Sequence, residues 1–89
     1  MGKKGLNNLD LQISYDELAD VLYISFGDPR PGIATEVNDG DFVRVDPYTK
    51  KVLGITLLYF KERYMQKTSL SIKESAQNII PKVLKEFRG

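Results

Sequence analysis

Tyr15-Asp16-Glu17-Leu18-Ala19-Asp20-Val21-Leu22-Tyr23-Ile24-Ser25-Phe26 consists of two β-prone arms around a short acidic connection. From Val21 the residues alternate, with Leu22, Ile24 and Phe26 toward one side and Val21, Tyr23 and Ser25 toward the other. A period of two is what a half-buried strand requires. The same period runs backward from Tyr15 through Ile13, Leu11 and Leu9, set against Ser14, Gln12 and Asp10. Asp16 to Ala19 supply a turn between the arms, which predicts an antiparallel hairpin.

Outward from the hairpin, Gly27-Asp28-Pro29-Arg30-Pro31-Gly32 reads as a loop, because its prolines lack ladder donors and its glycines favour turns. It has neither the glycine spacing nor the lysine of a phosphate-binding loop. Ile33 to Val37 and Phe42 to Val45 are the next predicted strands, separated by the turn Asn38-Asp39-Gly40-Asp41. Asp46 to Lys50 form a further turn, and Val52 to Phe60 make the most hydrophobic strand of the chain. The expected fold is α+β: an antiparallel β-meander of four to five strands with a carboxyl-terminal helix packed on one face.

That helix is expected over residues 71–88, after a connection over 61–70. Ser71-Ile72-Lys73-Glu74 fits the capping box, in which serine and glutamate satisfy each other's backbone amides. Ile72, Ala76, Ile79, Ile80, Val83, Leu84 and Phe87 then lie on one stripe of a helix with a period of about 3.6. Pro81 lacks the donor that would bond Gln77, so a kink or break is expected there. Residues 1–8 show no periodicity and read as a flexible arm, which leaves 9–89 as a single domain.

The 89 residues suit one small core, near the size at which packing alone can hold a chain together. Without cysteine there is no disulfide, thiolate metal site or thiol nucleophile, and without histidine the commonest general base and a leading zinc ligand are missing. No apolar run reaches the roughly 18 residues of a membrane span, and the amino terminus lacks a signal-peptide core. The expectation is a cytoplasmic protein with no membrane partner. The net charge of +1 hides two poles: residues 1–60 carry six basic and nine acidic side chains, residues 61–89 seven basic and three acidic.

The run from Tyr15 to Ile24, followed by an acidic turn and Val52-Leu53-Gly54-Ile55, resembles the small prokaryotic domain of unknown function 2283 family, with its YDxxADxLYI hairpin. The resemblance covers about residues 9–60 and leaves Lys61 to Gly89 as an extension. Leu18 stands where members often carry an acidic residue, and Thr56 follows Ile55 where glutamate is common. The resemblance implies a small β-meander without an established catalytic residue, and a small toxin-like protein as a partner.

Among candidate sites, Asp16 and Asp20 read first as turn residues accepting nearby amides. Asp16, Glu17 and Asp20, or Asn38, Asp39, Asp41 and Asp46, could gather oxygen ligands, but neither group follows a calcium-loop order. No catalytic residue, metal or cofactor is assigned. The most pointed expectation concerns Val52 to Phe60, which is apolar on both faces while one helix covers only one. Folding of residues 61–70 over the second face would cover it. The function read from it is a non-enzymatic interaction module, forming a homodimer or holding a small toxin-like protein through Val21, Tyr23, Val52, Thr56, Leu58 and Phe60, with cover by 61–70 as its alternative. Nucleic-acid binding through Lys73, Lys82, Lys85 and Arg88 is the other reading, since clustered cations neutralise phosphates. The interspersed Glu74 and Glu86 favour an ordinary solvated helix face instead.

Overall fold

The structure is a computed structural model that describes residues 11–27 and 30–87. The expected arm over 1–8, Leu9 and Asp10 of the first strand, Asp28 and Pro29 of the loop, and Arg88 lie outside the described residues. Among the described residues five strands form, β1 (Leu11–Asp16), β2 (Val21–Phe26), β3 (Ile33–Asn38), β4 (Asp41–Val45) and β5 (Val52–Leu58). Two helices follow, α1 (Phe60–Tyr64) and α2 (Ile72–Glu86). The fold is α+β, with every neighbouring strand pair antiparallel.

The strand order is β1-β2-β5-β4-β3, so the sheet is not a strictly sequential meander. β5 inserts between β2 and β4. Its composition explains the choice: a strand without charge or proline, apolar on both faces, is a liability at an edge and is best sealed in the middle. Because both flanks of β5 are hydrogen-bonded, to β2 and to β4, its edge is closed to a second copy.

One sheet face carries the core. Leu22, Ile24, Val43, Ile55 and Leu57 meet Phe60 of α1 and Ala76, Ile79 and Val83 of α2, all buried. Leu11, Ile13, Tyr15, Ile72, Ile80, Leu84 and Phe87 close over this cluster from its margins, so the apolar stripe of the helix is used as its spacing predicts. At about 1.5 to 3 kcal/mol for each large apolar side chain, this layer is the main favourable term set against chain entropy.

The capping box forms as predicted: Ser71 Oγ accepts the Glu74 amide at 3.1 Å, and Glu74 Oε1 accepts the Ser71 amide at 3.0 Å. The helix then runs unbroken through Pro81 to Glu86, where a break was one expectation, and Phe87 is already extended. Burial of Ile79 and Val83 on either side of the proline holds both halves against the sheet and offsets the missing Gln77 bond.

Two local features move residues from their expected faces. β5 stops at Leu58 because Tyr59 adopts a left-handed conformation with φ 51°, and Phe60 opens α1 instead of continuing the strand. At the other end, Arg44 pairs with Gly54 while the next residue, Val45, pairs with Val52, so Leu53 is an extra residue in β5. This bulge turns Val52 to the helix side.

Candidate interaction surface

Between Leu58 and the helical region the chain turns toward one side of the sheet only, and the opposite side stays open among the described residues. Its composition follows from the register. Tyr23 and Phe42 both lie opposite Thr56, with Ser14 and Glu36 at the ends of that row. Val21 lies opposite Leu58 in the adjacent row. Val21, Phe42, Thr56 and Leu58 are half-buried and Tyr23 is 43% exposed, so an apolar strip crosses the three central strands in contact with solvent.

The third row is polar and tightly built. Ser25, Gly54 and Arg44 lie side by side, and Arg44 Nη2 donates to Ser25 Oγ at 3.2 Å and to the Leu53 carbonyl at 3.4 Å. The guanidinium lies over Gly54, where a Cβ would collide with it and with the Ile24 carbonyl oxygen. Among the described residues Arg44 Nε has no hydrogen-bond partner and no carboxylate pairs with this cation. The open face therefore combines an apolar strip with a positioned positive charge that no described carboxylate pairs.

Of the expected interface residues, Val21, Tyr23, Thr56 and Leu58 share this face. Val52 and Phe60 do not. Val52 is turned by the bulge and packs on the core cluster, and Phe60 has no exposed surface and sits between Tyr15 and Tyr64, at 6.4 and 5.8 Å between ring centroids. Phe42 and Arg44 complete the surface and were not picked out from sequence. Their alternation in β4 is legible, but only the placement of β5 beside β4 brings them next to Thr56 and Gly54.

The expected basic set is dispersed. Lys82 and Lys85, about one turn apart, line a hollow of about 380 Å³ together with Asn38, Asp41 and Glu86, so carboxylates share the site. Lys73 lies nine positions before Lys82, about half a turn round the helix and roughly 13 Å along it. Arg88 lies outside the described residues.

The acidic residues are occupied by protein donors. Asp16 accepts the Ala19 amide at 3.1 Å, a local turn bond as its position predicts. Asp46 accepts the Tyr48 and Thr49 amides at 2.8 and 3.0 Å, and those bonds outweigh burial and hold its carboxyl below the usual aspartate value. Asp20 reaches much further. Its carboxylate accepts the Tyr15 hydroxyl at 2.7 Å and the amides of Lys61 and Glu62 at 2.8 and 3.3 Å, while its carbonyl accepts the Phe60 amide at 3.0 Å. One residue thus satisfies the free donors that open α1. Burial works against the charge on Asp20, but the donors of Lys61, Tyr15 and Glu62 prevail and hold its carboxyl below the usual value. Burial and the bond to Asp20 push Tyr15 up to about 12.

Asp41 is 2% exposed and lies on the helix side, where Arg63 Nη2 and the Tyr64 hydroxyl each donate to it at 2.6 Å. Arg63 Nε also donates to the Leu58 carbonyl at 2.9 Å, and its guanidinium packs against Gly40, a turn residue at φ 89° where a Cβ would push the guanidinium aside. These bonds fasten α1 to the β3–β4 turn. Burial and the bond to Asp41 push Tyr64 up to about 12. Among the described residues no three acidic side chains come together in a way that could hold a metal ion, and no helix is long and apolar enough to cross a membrane.

No protein-family model, curated protein or solved structure matches this chain.

Proposed function

We propose that the chain is a non-enzymatic protein-interaction module, working as a homodimer in the cytoplasm and offering its open sheet face to a protein partner. The observation that supports this reading is the strip of Val21, Tyr23, Phe42, Thr56 and Leu58 beside Arg44, apolar area flanked by a cation that no carboxylate among the described residues pairs. Aromatic side chains and arginine are the residue types enriched where proteins bind one another. The expected partner places apolar side chains on the strip and a carboxylate against Arg44. A small toxin-like protein is the class that the resemblance of the hairpin to the domain of unknown function 2283 family suggests.

The test is capture from a lysate of the native host with tagged wild-type chain, Leu58→Glu and the pair Lys82→Glu with Lys85→Glu. The reading expects a protein retained in stoichiometric amount by the wild type, lost with Leu58→Glu and kept by the lysine variants. Equal retention by Leu58→Glu would overturn it. Nucleic acid in the eluate, lost when the lysines are reversed, would replace it with the basic-surface reading.

A further inference from the structure

β3 is an edge of the sheet: its inner flank pairs with β4, and no strand lies against its outer flank among the described residues. Unpaired backbone groups along such an edge are matched only by another strand. The usual protections are thin here, since Ile33 to Val37 contain no proline or lysine and a single charge, Glu36. The bulge of this strand comes only at its end, between Glu36 and Asn38. Ile33, an apolar side chain, is 57% exposed. Beside it, a hollow of about 490 Å³ runs along β3 from Ile33 to Val37, its lining mixing Val45, Pro47 and Phe87 with Asp46, Lys50 and Glu86. An added strand would place alternate side chains over that hollow.

We propose that two copies of this chain pair antiparallel through their β3 edges about a two-fold axis at Thr35. This deepens the homodimer part of the reading above and rests on it. Only a self-complementary register serves a two-fold interface, and the sequence of β3 discriminates among the registers. Centred on Glu36, two carboxylates would face each other, which is destabilising. Centred on Thr35, Ile33 of each copy lies beside Val37 of the other on the side of the hollow, and Ala34 lies beside Glu36 on the open face. The exposed isoleucine gains an apolar neighbour, and the two five-stranded sheets become one. The open faces then join into a single surface, leaving Val21, Tyr23 and Leu58 uncovered for a partner.

Sedimentation of the full chain over a concentration series, with Ile33→Lys and Leu58→Glu, tests the pairing. Because the chain contains no cysteine, Thr35→Cys adds a test of register: residues opposite each other in an antiparallel pair lie about 4.5 to 5.5 Å apart between Cα atoms, within disulfide reach. The expected results are a wild-type dimer and at least tenfold weaker dimerisation with Ile33→Lys at an unchanged melting temperature of the monomer. Leu58→Glu should leave the dimer intact, and Thr35→Cys should cross-link at least tenfold faster than Ala34→Cys. A dimer that survives Ile33→Lys but is lost with Leu58→Glu overturns the edge pairing while keeping the homodimer. A wild-type chain that is monomeric throughout overturns both, and equal cross-linking of the two cysteine variants overturns the register.

Discussion

The carboxylate of Asp20, in the β1–β2 connection, accepts the backbone amide of Lys61 at 2.8 Å, across 41 positions of sequence. The most recognisable acidic residue of the hairpin is therefore committed to the start of α1, where it also takes the Glu62 amide and, through its carbonyl, the Phe60 amide. Tyr15 donates to the same carboxylate. The Tyr-Asp-x-x-Ala-Asp pattern thus has a mechanical account: its tyrosine and second aspartate fix where the chain goes after β5.

Replacing Asp20 by alanine leaves the Lys61 and Glu62 amides without their carboxylate acceptor, while the Phe60 amide keeps its backbone one. Loss of a helix cap costs about 1 to 2 kcal/mol, and the Tyr15 bond adds to it. Urea denaturation should show Asp20→Ala destabilised by at least that amount, with Asp39→Ala, in an exposed turn, within about 0.5 kcal/mol of wild type. Equal stability of the two variants would refute the capping role.

Asp41→Ala should cost more, about 3 kcal/mol, because it strips a buried carboxylate from two donors and leaves the Arg63 charge and the Tyr64 hydroxyl unmatched. A double-mutant cycle with Arg63→Ala should give a coupling of about 1 kcal/mol or more. Additive losses would mean that the two side chains act independently.

Gly54→Ala is expected to destabilise by about 1 to 3 kcal/mol despite adding one methyl group, since its Cβ meets the Ile24 carbonyl and the Arg44 guanidinium. Pairing it with Arg44→Ala relieves only the side-chain part of the clash, so part of the loss should persist. A melting temperature unchanged by Gly54→Ala would show that β2 and β5 lie less closely together than described.

The stability profile with pH should fall at both ends. Asp20, Asp46 and Glu74 all have carboxyls lowered in the folded state, Glu74 by its bonds with Ser71. Their contribution is present above their ordinary values of 3.8 and 4.5 and is lost as pH falls through the lower folded values. Tyr15 and Tyr64 are raised from 10.0 to about 12, so the folded state holds their protons longer, and their contribution is full below pH 10 and lost as pH rises toward 12. Denaturation at fixed intervals of pH should show Asp20→Asn with a flatter acid limb and Tyr64→Phe with a flatter alkaline limb. A limb unchanged in slope would remove that residue from the account.

Pro81→Ala restores a donor for the Gln77 carbonyl in the middle of α2, at an exposed position where packing is unaffected. Up to about 3 kcal/mol separates proline from alanine inside a helix, and the variant should melt higher than wild type. A lower melting temperature would mean that the proline shapes a contact of the helix with the sheet.

What the sequence alone determined is local. The alternation in 11–16 and 21–26, the capping box at Ser71 and Glu74, and the stripe from Ile72 to Phe87 depend on near neighbours and on solvent, and each has its expected form in the structure. The open face was half legible for the same reason: Val21, Tyr23, Thr56 and Leu58 follow from alternation along a single strand. Tertiary structure decided the rest. Which strands flank β5 is a choice among distant pairings, won by sealing an uncharged apolar strand on both sides, and it is this choice that brings Phe42 and Arg44 onto the surface. A one-residue bulge sent Val52 to the core, and a left-handed Tyr59 sent Phe60 there too. The Asp20–Lys61 and Asp41–Arg63 bonds span 41 and 22 positions; no periodicity encodes such partners, because only the folded sheet brings them within reach.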